Sequence, residues 1–192
     1  MRNLRSPLLA VILLFAVLFL IAAPLLIRQS ILPQPQVDDS HLVEYHNPTL
    51  GFSQLRPEPW TVVEDHPQLI PPGQDTLHAV AFVPNPDSKT LAITYVQTLT
   101  KTQTLQEYAA QQRADLQNDT KVAFTELRPL TINGLDALET DAIITADGEA
   151  RQHRVVMLTN GSRAYALVYI GPINGTAPQR FQSMVDSFKF VQ

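Results

Sequence analysis

The chain has 192 residues, 45% of them apolar and 17% charged, with a formal net charge of −4, fifteen prolines and no cysteine. This balance is far from the disordered class. It also disfavours nucleic acid, which selects clustered Lys and Arg, and it removes disulfides, thiolate metal sites and cysteine nucleophiles.

Leu8 to Ile27 is an apolar run interrupted only by Pro24. About 20 such positions cross a hydrocarbon core of roughly 30 Å at 1.5 Å per residue. A cleaved signal peptide has a shorter apolar region ending in a small-residue site. Here the one small pair, Ala22-Ala23, is followed by Pro24. Arg2 and Arg5 precede the run and Arg28 follows it, so the positive-inside rule keeps the N-terminus cytoplasmic. The expected organisation is a single-pass cell-membrane anchor over residues 1–28, a linker over 29–41 containing Pro33 and Pro35, and one extracytoplasmic domain over 42–192. A semi-extended linker of this length reaches about 40 Å.

Within the domain, candidate strands run from Gly51 to Leu55 and from Trp60 to Glu64, with Pro57-Glu58-Pro59 as the turn between them. A Pro-rich loop follows over His66 to Gly73, then strands over His78–Val83 and Leu91–Val96. Four strands are thus expected before any helix. Thr104-Leu-Gln-Glu107 fits a capping box. Leu105, Tyr108, Ala109, Gln112 and Leu116 then share one face, which predicts a helix to about Asn118.

Asn133-Gly134, Asp147-Gly148 and Asn160-Gly161 each match the pair favoured in type I′ hairpin turns. They predict a four-stranded meander over Ala123–Thr131, Leu135–Thr145, Arg151–Thr159 and Arg163–Ile170. The last strand is apolar on both sides, which implies helices on both faces of the sheet. Thr176-Ala-Pro-Gln179 is a second capping box, followed by Phe181, Met184, Val185 and Phe188 at helical spacing and a short extended end.

Gly51-Phe52-Ser53 with Pro57-x-x-Trp60, Asn133-Gly134-Leu135-Asp136-Ala137, and Phe181-x-x-Met184-Val185-x-Ser187-Phe188 occur in this order. Together they resemble the PsbP-like family and its DcrB-type bacterial envelope relatives, over about residues 45–191. The resemblance implies an α+β fold, an antiparallel sheet flanked by helices as an αβα sandwich. It makes Gly51, Phe52, Pro57, Trp60, Gly134, Phe181, Val185 and Phe188 motif and core positions. It further implies either an extrinsic lumenal photosystem subunit or assembly factor, on the thylakoid-lumen side in a photosynthetic host, or an envelope domain. The membrane anchor departs from the photosynthetic members. Independently of the resemblance, Trp60 reads as a core anchor whose indole N–H finds one acceptor.

G-x-S-x-G, H-E-x-x-H, G-x-x-x-x-G-K and G-x-G-x-x-G are all absent, so the common acyl-transfer, zincin, phosphate-loop and dinucleotide mechanisms lack sequence support. Asp38, Asp39, His41 and His46, with Glu44 between them, are the candidate ligands for a divalent cation. Asp65-His66 is a second, smaller candidate. Glu139 and Asp141 lie at i, i+2 on one strand and are expected to pair with Arg151 and Arg154 on the next. No cofactor is indicated. The expected function is a non-catalytic binding or assembly module that meets an envelope or membrane protein close to the bilayer, through its sheet edge or Pro-rich loop. The alternatives are a small-ligand or divalent-metal sensor and a photosystem-associated extrinsic protein.

Overall fold

The computed structural model describes residues 41–70, 76–84, 90–119, 122–146, 149–173 and 179–191. The anchor (1–28), nearly all of the linker (29–41), the Asp147-Gly148 turn and Thr176 to Pro178 lie outside the described residues. Among the described residues no helix is long and apolar enough to cross a membrane.

The chain forms β1 (Leu42–Asn47), β2 (Phe52–Pro57), β3 (Thr61–Glu64), β4 (Leu77–Val83), β5 (Leu91–Thr98), α1 (Leu105–Asp119), β6 (Val122–Phe124), β7 (Arg128–Ile132), β8 (Leu135–Ala146), β9 (Glu149–Asn160), β10 (Arg163–Pro172), α2 (Gln179–Asp186) and β11 (Lys189–Phe190). An eight-stranded antiparallel sheet runs β3-β4-β5-β10-β9-β8-β6, with β7 also on β8, and a three-stranded sheet runs β1-β2-β11. The expected antiparallel sheet between helices is therefore present, but the layer carrying α2 also contains the small sheet.

Strand alternation creates two cores. On one face Ala164, Ala166, Val168 and Ile170 of β10 meet Leu105, Tyr108 and Ala109 of α1 and Leu69 from the loop after β3. On the other, Tyr165, Leu167 and Tyr169 meet Phe52, Trp60, Phe181, Met184, Val185 and Phe188. Because β10 is central, each of its faces needs an apolar cover, and burying a large apolar side chain stabilises by roughly 1.5–3 kcal/mol.

The helices start and stop for local reasons. Thr104 Oγ1 accepts the Glu107 N–H at 3.2 Å, and a Glu107 carboxylate oxygen accepts the Thr104 N–H at 2.9 Å. This reciprocal capping box satisfies two amides of the first turn. At the end of α2, Asn133 Nδ2 donates to the Asp186 and Phe188 carbonyls at 2.8 and 2.9 Å. Ser187 Oγ accepts the Leu55 N–H at 2.8 Å and donates to Met184 O at 3.0 Å, tying the helix end to β2.

Three expectations are corrected. The stretches 51–55 and 60–64 are strands joined by the expected turn, but they lie in different sheets: β2 pairs with β1 and β11, whereas β3 pairs with β4. The turn between them is real, with the Trp60 N–H donating to Pro57 O at 3.1 Å, but it hands the chain from one sheet to the other. Five strands, not four, precede α1, since β1 exists through its pairing with β2.

The single strand expected over 123–131 is two. Phe124 faces Ala142 while Arg128 faces Glu139, so the outer chain uses four steps where β8 uses three. This is a one-residue bulge. The Thr125 hydroxyl takes the Asp141 N–H at 2.9 Å at the interruption. The slip inverts the pattern, because a shift of one residue exchanges faces: Val122, Phe124 and Leu127 pack on the α1 side, Leu130 and Ile132 on the α2 side.

The third hairpin turn is also displaced. Asn160 is still paired, opposite Arg163, and Gly161 alone has positive φ, at 57°. Gly161 and Ser162 therefore form the two-residue loop, with the II′ pattern rather than I′. Asn133 and Gly134, at 50° and 79°, do have the I′ pattern.

Gly51 and Gly134 have nearly equal φ, 76° and 79°, but a Cβ on Gly51 would meet an Arg163 guanidinium nitrogen at 2.7 Å and the Tyr165 hydroxyl at 3.1 Å, while one on Gly134 meets nothing within 4 Å. We expect Gly134→Ala to cost about 1–2 kcal/mol, the backbone penalty alone. Gly51→Ala should cost about 1 kcal/mol more, as a smaller urea midpoint. Equal losses would show that the contacts around Gly51 yield freely.

Candidate functional site

The motif residues converge on one locus in the α2-side core. Phe52 stacks on Phe188 with ring centroids 5.7 Å apart, and Tyr165 lies edge-on to both, at 6.3 and 5.5 Å. Phe181 packs on Tyr169 at 5.7 Å. Trp60 and Val185 are buried in the same cluster. The Tyr165 hydroxyl donates to Leu50 O at 3.1 Å, and the Val191 N–H donates to Gly51 O at 3.0 Å. Pro57 begins the turn to β3, and Gly134 completes the hairpin whose Asn133 caps α2. These residues weld the small sheet and α2 to the large sheet. One expectation fails here: the Trp60 indole N–H is buried without an acceptor.

Of the cation candidates, Asp38 and Asp39 lie outside the described residues, while His41 and His46 are exposed. Among the described residues no group of three or more His, Cys, Asp or Glu side chains gathers to hold a metal. Asp65 does not act with His66. It sits at φ 44°, accepts the Ala79 N–H at 2.9 Å, and its other oxygen meets His78 Nδ1 at 2.8 Å. Next to it the Tyr45 hydroxyl donates to Glu64 at 2.6 Å.

The acidic pair Glu139 and Asp141 is half as expected. Arg154 pairs with Glu139. Arg151 instead lies on the opposite face and pairs with Glu149. The unforeseen partner is Arg128 of β7, 3.1 Å from Glu139 and 2.8 Å from Asp141. The signal was present in the sequence, because counting outward from the Asn133-Gly134 turn places Arg128 opposite Glu139. Two cations and two carboxylates form a continuous chain of ion pairs, Arg154–Glu139–Arg128–Asp141, which suits pinning an edge strand better than acid–base chemistry.

That edge is the feature with binding geometry. On its outer side β7 has no strand partner among the described residues. Beside it lies a groove of about 710 Å³ whose lining includes Leu130, Leu135 and Phe190 together with the polar Thr131, Asp136 and Thr159. An unpaired edge next to a groove of mixed polar and apolar lining is suited to adding an extended peptide as a further strand. Pro129 offers no backbone donor and so limits the length over which any added strand can pair along this edge.

His153 is the most unusual titratable group. It is fully buried on the α1 face, with neither ring nitrogen hydrogen-bonded. Burial, with the positive charge of Arg151 beside it, lowers its pKa to about 3. The folded state thus prefers the neutral ring, so the stability linked to it is complete above the unfolded pKa of about 6.5 and is lost as pH falls from there towards 3. The ceiling of that loss is roughly 4–5 kcal/mol. We expect His153→Leu to be at least as stable as the natural chain at pH 7, since no hydrogen bond is lost, and to show a shallower decline on acidification. Urea midpoints between pH 7 and 3.5 decide it; parallel pH profiles would refute the assignment.

No protein-family model and no curated protein matches the chain. Solved structures do. The solution structure of cyanobacterial PsbP (CyanoP) from Synechocystis sp. PCC 6803 superposes with a TM-score of 0.59 at 13% identity, covering 83% of this chain and 98% of that one. LpqN of Mycobacterium tuberculosis, involved in cell envelope biogenesis, gives 0.55 at 12% identity, covering 80% and 94%. A protein of Bacteroides thetaiotaomicron VPI-5482 gives 0.53 at 13% identity, with 78% of this chain matching about half, 48%, of that one. At these identities the likeness concerns the fold, and the fold is PsbP-like.

Proposed function

We propose that this PsbP-like domain is a membrane-tethered, extracytoplasmic, non-catalytic binding or assembly module that receives an extended segment of an envelope or membrane protein along β7. The observation that carries the reading is the apolar run Leu8 to Ile27, joined by a short Pro-containing linker to β1. The linker holds the domain within about 40 Å of the bilayer. The open β7 edge and its groove support the docking mode. A backbone-mediated mode needs no charged hot spot on the partner, since the main chain supplies the hydrogen bonds and alternate side chains the specificity.

The fold does not choose between an envelope role and a photosystem-associated one. CyanoP and LpqN match to a similar degree, and folds host unrelated functions. The anchor favours the envelope role.

The test uses the full chain in native membranes, with a photo-crosslinking residue in place of Thr131 on β7 or Thr61 on β3, the opposite sheet edge. We expect the protein to resist alkaline carbonate extraction and to give one discrete adduct from position 131 and none from 61. Extraction by carbonate would remove the anchor from the proposal. Adducts from both edges, or from neither, would remove the β7 docking mode.

A further inference from the structure

A second cavity lies on the α1 side, away from β7. It has a volume of about 220 Å³ and opens between the end of β5, the segment that follows it and the first half of α1. We propose that it binds a small neutral, hydroxyl-rich ligand the size of a single sugar ring or cyclic polyol.

The lining carries four glutamines, Gln97, Gln103, Gln111 and Gln112. A carboxamide carries a donor and an acceptor side by side, the complement of neighbouring hydroxyls that both give and take hydrogen bonds. Gln97 is nine-tenths buried and its Oε1 has no partner. A buried acceptor without a donor is destabilising; Gln97 lines the cavity, and a turn of its carboxamide towards it would bring that oxygen to a ligand hydroxyl. Gln111 is held in place, since its Nε2 donates to both carboxylate oxygens of Asp115 at 3.0 and 3.1 Å. Its donor side is committed to Asp115.

Charge and size narrow the ligand further. Lys101 and Asp115 both line the cavity, and their charges offset. Such a lining does not select a phosphate or a quaternary amine, each of which calls for an excess of one sign. The volume lies below the roughly 300–1,000 Å³ of pockets for drug-sized ligands, which admits one ring and excludes an oligosaccharide. The β5 side of the cavity is tied down, because the Thr98 N–H donates to Thr76 O at 2.9 Å and the Leu99 N–H to Ser162 O at 2.8 Å. Order on that side lowers the cost of binding.

The test is saturation-transfer NMR and calorimetry on the full chain, in a detergent whose head group is not a sugar. The probes are glucose, N-acetylglucosamine and myo-inositol, with inorganic phosphate and choline as charged controls. We expect saturable binding of at least one neutral probe with Kd on the order of millimolar, typical of a few hydrogen bonds. Gln97→Leu and Gln112→Leu should each weaken it about tenfold or more, and Thr145→Ala, at an exposed position of β8, should leave it unchanged. Should the buried-site variants fail to fold, the exposed Gln111→Ala carries the test with a threefold or larger loss. The proposal is overturned if no neutral probe saturates by about 50 mM, if a charged control binds more tightly, or if folded variants bind as the natural chain does.

Discussion

Burial of β10 on both faces is the constraint on which the rest of the molecule depends. Its small residues, Ala164 and Ala166, lie in register beside the bulkier Gln97 and Tyr95 of β5, leaving room on that face for α1 to approach closely. Its aromatic residues, Tyr165 and Tyr169, set the thickness of the other core. A central strand with two apolar faces cannot be left half covered, since each exposed face would forfeit several kcal/mol of burial. The two ends of the domain meet this need together. β2 comes from its start and β11 from its end, and the two pair over Phe52 and Ser53. The second layer is closed by residues far apart in the chain, and Tyr165 joins them through its hydroxyl to Leu50 O.

Local signals and long-range pairings were unequally legible. The capping box at Thr104 and Glu107 was readable because both of its hydrogen bonds lie within four residues. The Asn133-Gly134 turn was readable because positive φ at both central positions selects those residue types, and the alternation of β10 because both faces are apolar. β1 was not. Its burial comes from pairing with β2, and residues such as Glu44 and His46 carry no strand signal of their own. The division of β2 and β3 between two sheets was equally hidden, since a Pro-containing turn between two extended runs reads the same whether or not they pair.

The bulge between β6 and β7 is the most consequential of the hidden features. A continuous strand would carry Val122, Phe124, Leu130 and Ile132 on one face, because all are even-numbered. The extra residue lets the outer chain serve both cores in turn. It also separates β7 from β6 as an edge with its own groove and its own charged clamp through Arg128, Glu139 and Asp141. Bulges commonly re-aim side chains next to functional surfaces, and this one gives β7 its exposed orientation.

The residues that carry the resemblance to PsbP-like proteins are thereby accounted for physically, and the account bears on where function resides. Gly51, Phe52, Trp60, Phe181 and Phe188 are buried at one junction, and Gly134 serves the turn whose Asn133 closes α2. Residues so placed determine whether the two layers join, and they are inaccessible to a partner. Similarity in them therefore carries over the architecture without carrying over a ligand. The groups free to differ between proteins of this fold are those outside this junction: the β7 edge, the glutamine-lined cavity beside α1 and the length of chain before β1. Each can change without disturbing the aromatic junction, which allows one fold to host unrelated functions.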